Sequence, residues 1–242
     1  MNFNYLILSY FDNNKRDLPW RDTNDPFRIW LSEIILQQTR VDQGMKFYNN
    51  FIQEFDTIFD LAKANEQKVL KLWQGLGYYS RARNLHFTAQ YIATELNGVF
   101  PSSFIELKKL KGVGDYTAAA VASIVYKEAV PAVDGNMFRV FARYFNIEDD
   151  ISSPKTKKIF WDLGLEIIDQ KRPGDFNQAV MDLGATICTP KLPKCDICPL
   201  NESCEALRLN KVLELPIKLK KTKVSNRFLH FIIIENEDNI AL

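Results

Sequence analysis

The 242-residue sequence has no cysteine before position 188, and no apolar run in it approaches the ~20 residues that span a bilayer. Its first residues, Met1-Asn2-Phe3-Asn4-Tyr5-Leu6-Ile7-Leu8, lack the basic stretch and small-residue cleavage site of a secretory signal. A secreted, disulfide-stapled fold and a membrane protein are therefore not expected; a cytoplasmic chain with no membrane contact is. Glycine and proline are sparse as well, ten of each, which argues for helices over a many-stranded sandwich. Nor is there an excess of either charge: the net value is +1. A nucleic-acid partner thus finds no support in overall charge and must be argued from local phosphate-binding devices.

What is present is a neutral body with a basic tail. Residues 1–210 carry 25 Lys/Arg against 26 Asp/Glu, residues 211–227 carry six against one, and residues 228–242 return three net negative charges. Helical periodicity is expected over 3–13, from Pro26 onward, and over 42–53, 57–62, 66–73, 80–95, 103–110, 115–126, 135–145, 155–169 and 175–186. The lysine-rich piece from Lys211 to Lys223 reads as a linker. After it, Phe228 to Ile234, a polar turn over Glu235 to Asn239 and Ile240 to Leu242 resemble one and a half strands. Two strands do not make a domain, so a further β-containing domain is expected to begin here and to be missing from this chain.

Three constellations carry chemistry. All four cysteines follow the pattern Cys188-x6-Cys195-x2-Cys198-x5-Cys204. Thiolates are soft ligands, and one compact loop with a single C-x2-C suits a 4Fe–4S cubane better than zinc, whose ribbons pair two such knuckles. Zinc and unliganded thiols stand as alternatives, and a structural role is preferred for the cluster. Second, Leu107 to Ala122 reads as a helix, a turn with Gly112 and Gly114, and a second helix of small residues. Such a turn exposes successive N–H groups at a helix N-terminus, where a phosphate oxygen is favoured, although an ordinary helical hairpin uses the same glycines. Third, Glu33 has apolar neighbours on both sides, so in a cleft desolvation would raise its pKa and keep it a proton donor. Asp134 directly precedes a helical pattern; cap N–H groups there would hold it ionised. A protonated and a charged carboxyl together suit cleavage of an N-glycosidic bond: one protonates the leaving base, the other stabilises a cationic sugar.

With these pieces, and with Trp30 to Thr39, Gly75 to Leu85 and Met181 to Ala185, residues 3–217 resemble the endonuclease III superfamily of helix-hairpin-helix DNA glycosylases. Within it they resemble the adenine DNA glycosylases of the MutY family. The resemblance implies an all-α, two-lobed fold: a six-helix barrel with the hairpin over 24–130, an iron–sulfur domain formed by 1–23 and 131–210, and a basic linker with a truncated C-terminal start over 211–242. It implies Glu33 as general acid at adenine N7 and Asp134, with Asn136 nearby, as the group that stabilises the oxocarbenium ion or its covalent adduct. Trp20, Arg21 and Gln178 would line the base pocket, and Gln38 and Tyr78 would fill the duplex left behind. The hairpin glycines Gly112 and Gly114 would bind backbone phosphate. The cluster held by Cys188, Cys195, Cys198 and Cys204 would pin a loop that brings Lys191 and Lys194 to phosphates.

The implied substrate is double-stranded DNA with adenine opposite 8-oxoguanine or guanine, handled by a monomeric, nucleoid-associated enzyme. Position 116 separates this reading from bifunctional relatives, which place a lysine where Tyr116 stands; a phenol cannot form their imine. A monofunctional glycosylase is expected, with at most slow cleavage through Lys111 or another lysine. The alternatives are a bifunctional pyrimidine-lesion enzyme and a non-catalytic iron–sulfur DNA-binding protein. In the family the additional C-terminal domain reads 8-oxoguanine, so without it the chain is expected to discriminate 8-oxoguanine from guanine poorly.

Overall fold

A computed structural model describes residues 3–219, Phe228, and 234–236 with 239–241. Twelve α-helices follow one another among the described residues: α1 (Phe3–Asn14), α2 (Pro26–Leu36), α3 (Val41–Glu54), α4 (Ile58–Lys63), α5 (Glu66–Trp73), α6 (Ser80–Glu95), α7 (Phe104–Leu107), α8 (Asp115–Val125), α9 (Gly135–Phe145), α10 (Pro154–Ile167), α11 (Pro173–Thr186) and α12 (Glu205–Arg208). Their starts are written in the sequence. Asp25 accepts from the Phe27 amide ahead of Pro26, Thr57 and Asp60 form a reciprocal capping box, and the Asn65 side chain accepts from Gln67. The helix expected over 103–110 is cut to one turn, because the chain past Leu107 tightens into successive turns that end at Gly112. Gly112 has φ of +81° and lies so close to Asn84 that a Cβ would fall 2.7 Å from that side chain.

Two apolar cores organise the helices. One gathers α2 to α8 around Trp30, Phe51 and Trp73; the other gathers α1, α9, α10, α11 and α12 around Phe141, Phe160 and Phe176. The five alanine and valine residues Ala118 to Ala122 are all fully buried. Their small size lets α8 lie between α2 and α11. Asn177 on α11 fixes that junction, donating to Ser123 Oγ and to the Val130 carbonyl and accepting from the Ala132 amide. The interior of the molecule is therefore shared by both halves of the chain.

The reading of a linker from Lys211 needs correction. Leu215 is buried in the second core, its carbonyl accepts from Arg143 Nε, and Ile151 donates to the Ile217 carbonyl. The apolar residues Val212, Leu215 and Ile217 outweigh the flanking lysines and anchor this stretch. The rest of the expected linker, 220–223, lies outside the described residues. Further on, Ile234–Asn236 pairs antiparallel with Asn239–Ala241, with Ile234 opposite Ala241. Glu235, Asn236 and Asn239 thus belong to the ladder, although their polarity marked them as turn. The expected strand residues 229–233 lie outside the described residues.

Candidate active site

A cavity of about 630 Å³ opens between the two cores. Five parts of the chain bring the candidate residues and their neighbours to its wall. Helix α2 brings Glu33; a short 3₁₀ turn at Pro19–Arg21 brings Trp20 and Arg21; α8 brings Tyr116; the start of α9 brings Asp134 and Asn136; α11 brings Gln178 and Met181. Seven sequence-predicted residues spread over 159 positions, from Trp20 to Gln178, therefore meet around one space. Trp20 is backed by Tyr48, whose ring meets it edge-on at 5.1 Å.

The two carboxyls differ in their partners. Glu33 is only 7% exposed, and its burial raises its pKa to about 7. A hydrogen bond from the Tyr116 phenol opposes that rise, the nearby Asp134 adds to it, and Arg21 opposes it. Near neutrality Glu33 is thus a carboxyl that can still give a proton. Asp134 caps α9: Oδ1 accepts from the amides of Asn136 (2.9 Å) and Met137 (2.8 Å), and Oδ2 accepts from Asn136 Nδ2 at 2.6 Å. These bonds were expected to set its pKa, yet burial outweighs them and moves it above the ordinary carboxyl value. Tyr116 is driven far upward, first by burial and then by Glu33, so its phenol stays protonated.

Asn136 is itself held. Arg139 Nη2 donates to its Oδ1 at 2.8 Å, and a guanidinium has no acceptor, so the amide nitrogen must face Asp134. Gly184 permits the packing behind it: a Cβ there would lie 2.6 Å from Asn136 Cβ. A second network was not foreseen. Asp182, 1% exposed, accepts from Arg16 Nε at 2.7 Å and from Arg21 Nη1 and Nη2 at 2.7 and 2.9 Å. Arg21 Nε then donates to Gln178 Oε1 at 2.8 Å. Asp182 sits in the quoted Met181-to-Ala185 segment, but its partners lie about 160 positions away and no local pattern pairs them.

The remaining candidates do not line this cavity. Gln38 and Tyr78 stand on neighbouring loops with φ of +57° and +47°, and Tyr78 is 67% exposed. Gly114 caps α8 in an extended conformation with open space where a Cβ would be, so only Gly112 of the hairpin pair needs glycine for its backbone. Lys191 and Lys194 are exposed on the cysteine loop.

Residues 31–165 match the model of the HhH-GPD superfamily of base excision DNA repair proteins, a span that contains Glu33, Tyr116 and Asp134. An Arabidopsis thaliana adenine DNA glycosylase is 40% identical over 95% of this chain, and the chain spans 41% of that relative's length. An adenine DNA glycosylase of Buchnera aphidicola subsp. Schizaphis graminum is 37% identical over 98% of the chain and 68% of its own length. The chain belongs to the adenine DNA glycosylase family. Among solved structures, a thermostable thymine-DNA glycosylase superposes with a TM-score of 0.78 at 30% identity, covering 86% of this chain and 95% of that one.

The superfamily match ends before the cysteines, whereas the Buchnera adenine DNA glycosylase extends through them. In this family member Cys188, Cys195, Cys198 and Cys204 line one small cavity of about 30 Å³ between the end of α11 and α12. Among the described residues no three His, Cys, Asp or Glu side chains gather around a single ion-sized point. A lone zinc needs its thiolates within about 2.3 Å of one ion, whereas a cubane takes each thiolate on a different iron and so holds them further apart. The donor set, four thiols lining one pocket, fits the cubane. Helix α9 closes this pocket: Arg143 Nη1 donates to Cys188 Sγ (3.4 Å) and to the Thr189 carbonyl, and Nη2 to the Pro190 carbonyl. Burial, with smaller effects from the other cysteines, pushes the Cys198 thiol up to about 11.

Proposed function

We propose that the protein hydrolyses the N-glycosidic bond of adenine mispaired with 8-oxoguanine or guanine in double-stranded DNA. The observation that carries this is the pairing of Glu33, near pKa 7, with the cap-held Asp134 in one cavity large enough for a flipped base. Glu33 gives its proton to adenine N7, and the base departs with the bonding electron pair. Asp134 stabilises the cationic sugar or closes onto it as a covalent adduct, and water completes the exchange to an abasic site. Asn136 fixes the carboxylate oxygen that faces the sugar.

Trp20, Arg21 and Gln178 form the base pocket, with Arg21 anchored by Asp182. No lysine is among the described residues that line the cavity, and Tyr116 keeps its phenolic proton. Both features support hydrolysis without an imine, hence a monofunctional enzyme; as the resemblance implies, it acts as a monomer. Gln38 and Tyr78 enter the duplex; the hairpin N–H groups around Gly112 and Gly114, with Lys191 and Lys194, take phosphates. A 4Fe–4S cluster on Cys188, Cys195, Cys198 and Cys204 supplies rigidity to the loop that carries those lysines. The lobes correspond to 24–130 on one side and 1–23 with 131–210 on the other.

Protein in excess over an A:8-oxoguanine duplex, followed by alkali, should yield a strand break at the adenine, and Asp134→Asn should abolish the break while keeping the duplex bound. No alkali-labile site with the unaltered chain would refute the reading.

A further inference from the structure

Gln38 and Tyr78 both hold left-handed backbone conformations without being glycine. Such a conformation costs an L-residue free energy and persists only where the surroundings over-determine it. The two residues are 40 positions apart, and neither is fixed by the Glu33 cavity. One side chain meets both loops. Arg81, in the first turn of α6, sends Nη1 to the carbonyls of Ile34 (3.0 Å), Ile35 (3.1 Å) and Gln37 (2.6 Å) and Nη2 to the carbonyl of Leu76 (3.3 Å).

The Gln37 carbonyl belongs to the peptide that leads into Gln38, and Leu76 stands two residues before Tyr78. The main chain adds a further tie, since the Arg81 amide donates to the Tyr78 carbonyl at 2.9 Å. The guanidinium lies 5.1 Å from the Trp73 ring centroid and 5.9 Å from that of Tyr78. It has no carboxylate partner among the described residues. Its charge is instead matched by the negative end of α2, whose last carbonyls have no partners within the helix.

We propose that Arg81 is a positioning residue that holds Gln38 and Tyr78 as one duplex-penetrating pair and registers both against the end of the helix that bears Glu33. The inference rests on the proposed entry of Gln38 and Tyr78 into DNA. A lysine cannot reproduce it, because a single ammonium cannot present the planar fork that reaches four carbonyls, two in the last turn of α2 and one in each loop. Arg81 touches neither base nor sugar; it acts through the loops.

The test uses the whole chain and a duplex with 2-aminopurine beside the mispaired adenine, whose fluorescence rises when the neighbouring stack opens. Arg81→Met should lower the amplitude per folded molecule about tenfold, the scale at which a strained conformation loses its support. Tyr78→Ala should do the same, and the double variant should lose no more than either alone, since all act on one step. Arg81→Lys should fall between Arg81→Met and the unaltered chain, and it serves as the test variant if Arg81→Met does not fold. Urea midpoints separate these effects from lost stability. An unchanged amplitude in a folded Arg81 variant, or losses that multiply in the double variant, overturns the role of Arg81. An unchanged amplitude in Tyr78→Ala overturns instead the wedge reading on which the inference rests.

Discussion

Two cavities of this protein, the cysteine pocket and the one lined by Glu33 and Asp134, are built in opposite ways. The cysteine pocket draws all four thiols from residues 188–204, a single stretch of loop and short helical turns. The larger cavity draws Glu33 and Asp134 from positions 101 residues apart, and its wall from elements at both ends of the chain. One site depends on local chain geometry, the other on the packing of two cores against each other. Damage at the first should therefore stay local, while damage to the frame of the second should reach the whole fold.

The largest expected effect is chemical and confined to the larger cavity. Glu33→Gln should lower the single-turnover rate of adenine excision by ~10²–10⁴ while leaving duplex affinity unchanged, because the amide keeps the shape and removes the transferable proton. Next comes its frame: Asp182→Ala, which leaves Arg16 and Arg21 without their buried carboxylate, should destabilise the fold by about 3–5 kcal/mol in urea titrations. Those two results together would show that chemistry and scaffold separate within one site.

The cysteine pocket should respond more mildly. Cys198→Ser should abolish the visible absorbance of the cluster and weaken duplex binding about tenfold through loss of the lysine-bearing loop. Excision from duplex that is still bound should continue. A parallel loss of excision in the bound fraction would mean that the two cavities are not independent. Smallest is the effect of Lys191→Ala or Lys194→Ala: each should reduce the slope of log affinity against log salt by about 1, read from binding isotherms across a salt series.

The same contrast governs what the sequence reveals. The cysteine spacing and the helix caps at Asp25, Thr57 and Asn65 are local patterns, and the cluster proposal and most helix starts could be drawn from them. Glu33 and Asp134 were legible as a pair of carboxyls in contrasting surroundings, but their separate roles came through resemblance, since an isolated glutamate on a helix or an aspartate at a cap has ordinary structural uses. The net rise of the Asp134 pKa was not legible, because it depends on burial in the folded chain. The Asp182 and Arg81 networks were also invisible: each joins groups that no helical or strand period relates. Val212 to Ile217 misled in the other direction, since lysine content marked as linker a segment that its apolar residues fasten to the second core.

The central claim is that Glu33, raised to about 7 by burial, must be protonated when the base departs. The single-turnover rate of adenine excision from pH 5 to 9, with protein in excess, tests it most directly. The rate should be level on the acidic side and fall toward tenfold per pH unit above about 7, as the donor loses its proton. In Glu33→Gln the profile should be low and without that fall. A rate in the unaltered chain that holds steady or rises between pH 7 and 9 would contradict the account.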